Sequence, residues 1–422
     1  MHHAPLADYS RRNFLVAGST LAAASWLSPH LGHTLAADDT PLPRVAAINT
    51  IYRLRSHAYH IAGRFIHGYS REGKHHQPPF KLVRMYNDQY PESDTSRDLA
   101  KQKGFEIANS VAEALGGPGK LDVDAVLLIA EHGDYPVNDR GQILYPRYEL
   151  YQQIVEVFRS SGRGVPVFND KHLSYDHRKA ARMVEQSREL KFGLMAGSSL
   201  PVTWRRPEVE FPLEAPLREG LVCYGGSVEP YFFHALETLQ CMLERRRGGE
   251  TGVKRVECLQ GAAVWKAGDA GRWSWPLLRA ALSRSPSNNY GDLRENVAKP
   301  IAILVEYRDG TRGTAINLPE QISDFNFAAQ LEGQTEPVSL CFYLPSPPGA
   351  RYFDALTWNI EKHFSSGKPP YPVERTLLTS TMLDWAMQSL AERSQPMESP
   401  SLDIRYKPPM DSGYFRGRYT DA

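Results

Sequence analysis

Two polar clusters follow apolar runs in a way that could do chemistry. Val165-Pro166-Val167-Phe168 gives way to Asn169-Asp170-Lys171-His172, and Val126-Leu127-Leu128-Ile129-Ala130 gives way to Glu131-His132-Gly133-Asp134. Apolar runs of this length read as buried strands, and open α/β sheets place their ligands at the carboxyl ends of strands. A lysine and histidines at such a place could exchange protons with a hydroxylated substrate. His132 and Asp134 read either as part of one cleft beside Lys171 or as a charged turn. A divalent ion drawing on His132, Asp134, His172 and His177 is a third reading, which none of the usual ligand spacings supports. His234 lies within an apolar helical pattern formed by Phe232, Phe233, Leu236 and Leu239. A lone histidine there is either structural or catalytic.

The elements that must position these groups follow from periodicity. After Lys171, Ser174 or Asp176 is placed to cap a helix in which Ala180, Ala181, Met183, Val184 and Leu190 recur at helical spacing. Residues 192–197 form the next buried strand. Val45-Ala46-Ala47-Ile48 predicts a first strand and residues 81–86 a second, ending at Asn87-Asp88. One helix is expected over 98–115 and another over 145–158. The histidine- and arginine-rich stretch 63–80 reads as a solvated loop or as an insertion over the cleft. Strands are expected at 253–259, 301–307 and 339–344, with a hairpin turn at Asp309-Gly310. Trp265 and Arg272-Trp273-Ser274-Trp275 could wall the cleft or form a subunit contact. A last long helix is expected over 376–391, and the proline-rich tail from Ser394 is expected to be loosely ordered.

Strand, Lys171 turn, helix and strand together resemble the Gfo/Idh/MocA oxidoreductases, the family of glucose–fructose oxidoreductase and inositol dehydrogenase. There the strand ends in Glu-Lys-Pro, where this chain has Asp170-Lys171-His172. Asp122-Val123-Asp124-Ala125-Val126 is similar to a second strand of that family, and the likeness reaches from about Val45 to about Leu390. It implies an α/β fold: a Rossmann-like, doubly wound domain followed by an α+β domain with an open mixed sheet. It implies hydride transfer between a sugar or polyol carbon and NAD or NADP, and a homo-oligomer. Lys171 would be general base or hydrogen-bond donor and His234 its partner. Glu229 would substitute for an acid that the family carries one turn before the histidine, where Pro230 stands here; Glu237 falls where the family often has a further acid. Trp204 and Tyr224, with Asp134, could touch the substrate. On the cofactor side the likeness points to Asn49, Thr50, Arg53, Asp88, His132 and Lys171, with Asp88 on the adenosine ribose. The family's glycine-rich turn is missing: Asn49-Thr50-Ile51-Tyr52-Arg53-Leu54 contains no glycine. Its side chains would crowd the pyrophosphate unless Arg53 or Arg55 holds the phosphates. A non-catalytic sugar-binding relative without the dinucleotide is the alternative, and the metal-assisted enzyme the third.

The amino terminus carries an address. Ser10-Arg11-Arg12-Asn13-Phe14-Leu15 matches a twin-arginine export signal, followed by a short apolar stretch and small residues at Ala36 and Ala37. The expected location is periplasmic, with the chain tethered if the signal stays uncleaved, and the export machinery is its expected partner. The expected division is 1–37 for the signal, 38–200 and 201–393 for the two domains, and 394–422 for the tail. The 422 residues carry a net charge of +1, which gives no general attraction to nucleic acid. Four cysteines, far apart in sequence, read as small buried side chains.

Overall fold

The computed structural model describes residues 41–345 and 348–417; the proposed export signal lies outside them. Chain order begins with β1 (Arg44–Asn49), α1 (His57–His67) and a short hairpin, β2 (Tyr69–Arg71) and β3 (Lys74–His76). It continues through β4 (Lys81–Asn87), α2 (Ser96–Lys103), β5 (Glu106–Ala108) and α3 (Val111–Leu115) to β6 (Ala125–Ile129). Then come α4 (Arg147–Ser161), β7 (Val167–Asp170), α5 (His177–Glu189) and β8 (Leu194–Gly197). The six strands other than the hairpin form a parallel sheet in the order β5-β4-β1-β6-β7-β8. Alternate residues face opposite cores: Val45 and Ala47 meet α1, while Ala46 and Ile48 share a cluster with residues of α3, α4 and α5.

The second half runs β9 (Trp204–Arg206), β10 (Leu217–Tyr224), α6 (Glu229–Leu243), β11 (Val253–Gln260), α7 (Ala262–Asp269), α8 (Trp275–Leu282) and α9 (Leu293–Asn296). It ends with β12 (Ile301–Tyr307), β13 (Arg312–Asn317), β14 (Phe325–Leu331), β15 (Val338–Tyr343), α10 (Tyr352–Ser366) and α11 (Val373–Ala391). Its seven-stranded sheet, β11-β12-β13-β10-β14-β15-β9, is mixed, since β10 runs parallel to β13 and antiparallel to β14. This is the α/β architecture expected from the sequence. Gly310, at φ +84°, makes the turn between β12 and β13.

Two late helices tie the halves together. Phe353, Leu356 and Ile360 of α10 return to the α1 side of the first sheet, and Arg64 of α1 donates to Asp354 at 2.7 Å. On α11, Arg375 donates to both carboxylate oxygens of Glu244, just beyond α6, with both side chains fully buried.

Several expectations are corrected. The helix over 98–115 is broken at Gly104, whose φ of +72° ends α2; β5 then joins the sheet edge, and Ser110 caps a separate α3. Stretch 63–80 does not cover the cleft; its hairpin packs on α10, where Tyr69 and His76 bond Glu361 at 2.6 and 2.8 Å. Trp265, Trp273 and Trp275 pack on one another, with Trp265 and Trp275 stacked; Trp265 and Trp273 belong to the core between α7, α8 and the second sheet, away from the first sheet. Over its described residues, 394–417, the tail is not loose. Leu402 is fully buried, Met397 pairs its backbone with Val256, and Ser412 accepts a bond from buried Arg205. Apolar residues spaced among the prolines give it this anchorage. All four cysteines are buried and unpaired. No helix among the described residues is long and apolar enough to cross a membrane.

Candidate functional site

Lys171 sits one residue beyond β7 in a left-handed conformation, φ +62°, and its N–H donates to Gly197 O at 3.1 Å. A β-bridge to the end of β8 thus holds a backbone that a non-glycine residue seldom adopts. Gly197 must itself be glycine: φ is +124°, and a Cβ there would stand 2.6 Å from a carboxylate oxygen of Glu237. The Lys171 ammonium donates to Glu131 at 2.7 Å. Arg147, the first residue of α4 and fully buried, bonds the other Glu131 oxygen. Burial by itself would push the Glu131 carboxyl up, but the charges of Lys171 and Arg147 outweigh it and hold the acid well below its usual range.

The network continues away from the cavity. Arg147 donates to His172 Nε2 at 3.2 Å, and that nitrogen lies 3.4 Å from Glu229. Burial, and then the charge of Arg147, lower the His172 pKa. His172 is therefore a neutral acceptor, with Nδ1 lacking a partner.

A cavity of about 290 Å³ opens beside Lys171 and is lined also by His57, His132, His234, Tyr231 and Tyr352. His57 begins α1, behind the Ser56 cap, and its Nδ1 lies 2.6 Å from the buried Asp170 carboxylate. His57 lines the cavity, and in the tautomer that donates Nδ1–H to Asp170 its Nε2 is an acceptor. His132, in the left-handed region at φ +69°, sets its ring edge-on to His57 at 5.3 Å. Burial first, and then the neighbouring His57, lower the His132 pKa to about 4. His234 is held well below the imidazole range by burial and by the charge of Lys171. Its Nδ1 has no partner. At neutral pH the cavity thus presents the Lys171 ammonium beside the neutral imidazoles of His132 and His234.

The structure brings Lys171, His132 and His234 to one cavity, although no hydrogen bond joins Lys171 to His234. Glu229 does not line it and instead faces His172. Trp204 belongs to β9 and packs edge-on against Phe415. Tyr224 is fully buried behind the wall, stacked 5.3 Å from Phe325. Asp134 is exposed and exchanges two backbone hydrogen bonds with the Gln89 side chain. Glu237 is buried among Thr376, Thr379 and Ser198. The proposed metal ligands do not converge. The one group spaced for a cation among the described residues is Asp176, His177 and Asp384. There Asp176 caps α5, and Asp384 bonds His177 and Arg140. The sequence reading missed His57 and Arg147, and gave Asp170 no role beyond its place in the triplet with Lys171. Glu131 was visible only as one of the acids flanking His132.

The carboxyl end of β1 does not fit a dinucleotide in the manner usual for such sheets. Asn49 is buried and bonds Asn87, and the Thr50 hydroxyl donates to Glu131 O. The turn is tied to the loop after β4 by Asp88 N–H to Asn49 O, Gln89 N–H to Thr50 O and Thr95 N–H to Tyr52 O. Asp88 already accepts from Tyr86 and Tyr135, one on each oxygen. Arg53 turns back to Leu54 O at 3.4 Å. Loops after β4 and β6 are thus bridged across the end of β1, where pyrophosphate would approach. Arg55 stays exposed at this turn.

Buried neutral histidines give a pH dependence with a defined sign. His132 and His363 protonate in the folded chain only at about 4, both chiefly because of burial, against an ordinary 6.5. Between those values the unfolded state binds more protons, so their contribution to stability falls as pH is lowered from 6.5 toward 4. Replacing His363 by Gln should flatten the pH profile of urea unfolding over this window, by at most roughly 1.4 kcal/mol per pH unit. Parallel profiles for the two proteins would refute the account.

Neither a family model nor a curated protein sequence matches this chain. Solved structures do. A probable dehydrogenase from Thermotoga maritima is similar at TM-score 0.51 and 13% identity, over 84% of this chain and 98% of that one. The fold is that of these dehydrogenases. GenD2 of gentamicin A biosynthesis, solved with NAD, gives 0.52 at 12% identity over 85% of this chain and 96% of its own. Myo-inositol dehydrogenase from Lactobacillus casei, solved with NAD(H) and myo-inositol, gives 0.52 at 10% over 85% and 97%.

Proposed function

We propose that the chain is an exported oxidoreductase-like enzyme of the Gfo/Idh/MocA type, acting on a carbohydrate or polyol hydroxyl. The observation that carries this reading is the cavity, where Lys171 in a strained backbone and His57, held from behind by Asp170, line one space. Lys171, already bonded to Glu131, acts as hydrogen-bond donor to a substrate oxygen. His57 Nε2 takes the hydroxyl proton, and Asp170 stabilises the imidazolium that results. His234 is the second imidazole on that substrate. Export rests on Arg11-Arg12 and their apolar sequel. Kinship of fold with NAD-bound dehydrogenases favours NAD or NADP as hydride acceptor.

The bridged loops favour a second reading, a sugar-binding relative without the dinucleotide. Calorimetry with NAD and NADP separates the two. The enzyme reading requires one of them to bind with its phosphates on side chains. Arg55→Ala should then weaken binding about 10- to 100-fold, as expected for a charge-assisted contact, and Arg53→Ala should change it little. No binding of either nucleotide, and none carried through purification, overturns hydride transfer and leaves the sugar-binding reading.

A further inference from the structure

A second cavity, also of about 290 Å³, shares no lining residue with the first. It lies between the β2–β3 hairpin, α10, the start of β9 and the C-terminal segment. Arg71, Arg351, Lys362 and Arg416 line it, against the two acids Glu72 and Asp411. With a net charge of only +1 over 422 residues, this excess is local.

Its cations are not equally committed. Arg416 is paired with Glu210 and Asp411, and Arg351 with Asp354. Arg71 is different. Its guanidinium lies over the Trp358 indole, 3.4 Å from the ring centroid. Its acid, Glu72, is 3.4 Å away and 81% exposed, so that pair is weak and screened. A guanidinium laid flat on an indole keeps its edge donors available and pre-positioned. The Lys362 ammonium lies 5.3 Å from the same ring. Among the described residues no carboxylate pairs with it. Partial burial lowers its pKa; Asp411 opposes that, while Arg71 and Arg416 add to it. Two cations crowd a third here, and an anion placed among them relieves the repulsion. The indoles of Trp204 and Trp358 supply apolar wall beside these donors.

We propose that this pocket binds the oxyanion of an acidic saccharide residue, a carboxylate or sulfate, between Arg71 and Lys362, with the sugar ring against the tryptophan wall. The site stands apart from the Lys171 cavity and does not depend on the reaction proposed there. Calorimetry at constant ionic strength, with sodium sulfate, sodium D-glucuronate and D-glucose as probes, tests it. Sulfate and glucuronate should bind, with glucuronate tighter. Lys362→Met and Arg71→Met should each weaken both anions by about 10-fold or more. Lys362→Arg should restore most of the affinity, and melting temperatures should confirm that every variant is folded. D-Glucose heats should be the same in wild type and variants, because a neutral sugar does not need these cations. Absence of sulfate binding, or equal affinity in wild type and both Met variants, overturns the site. Glucuronate no tighter than sulfate overturns the saccharide assignment.

Discussion

Glu131→Ala is expected to cost about 3–5 kcal/mol of stability, the usual penalty for removing one partner of a buried ion pair. The carboxylate is 4% exposed and receives Lys171 on one oxygen and Arg147 on the other. Without it two cations remain buried, and Arg147 keeps only His172, a neutral acceptor, from this network. Urea unfolding of the variant at pH 7 measures the loss. Glu131→Gln should recover part of it, since an amide still accepts a hydrogen bond. A loss below about 1 kcal/mol, the level of exposed pairs, would mean that the pair is solvated and that the site is less closed than described.

Lys171→Met is expected to lower turnover by about 10²–10³-fold, the range for removing one preorganised donor to the reacting oxygen. His234→Ala should lower it as well, and the double variant should lose less than the product of the two losses, because groups acting on one substrate are not additive. Lys171→Arg should not rescue activity: the longer, forked cation cannot hold both Glu131 and a substrate oxygen from the same left-handed position. Product formation from a panel of sugars and polyols, followed by mass spectrometry beside melting curves, reads these effects. Multiplicative losses would assign His234 to structure. Losses that merely track melting temperature would assign both residues to it.

The central strand–helix–strand unit was legible because its signals are local. Asp176 caps α5, as an aspartate just ahead of a helical pattern should. The hairpin at Gly310 was legible for the same reason. His57 was not, because its meaning comes from Asp170, 113 residues along the chain. Arg147 fell inside the helix expected over 145–158 without a role of its own, and only the fold turns it toward Glu131. Tyr224 and Trp204 do not line the Lys171 cavity, because a strand's alternation gives each residue one of two faces, and periodicity cannot say which face meets a given cavity. The bond from Tyr135 to Asp88 could not be read, since a hydrogen bond between two loops leaves no trace in local sequence. The break at Gly104 was available in the sequence, as a glycine flanked by Lys103 and Phe105.

The packed C-terminal segment bears on how the protein is made. Arg245 donates to the carbonyls of Pro409 and Met410, Arg205 donates to Ser412, and the Tyr406 hydroxyl reaches Glu244. Arg205 and Arg245 lie deep in the second half, nearly out of solvent. Upstream they reach only part of their acceptors, the carbonyls of Pro201 and Val209 for Arg205 and that of Phe211 for Arg245; the rest arrive with residues 409–412. A chain cut before Tyr406 therefore leaves buried guanidiniums and Glu244 only partly matched, so packing of the second half is completed late in synthesis.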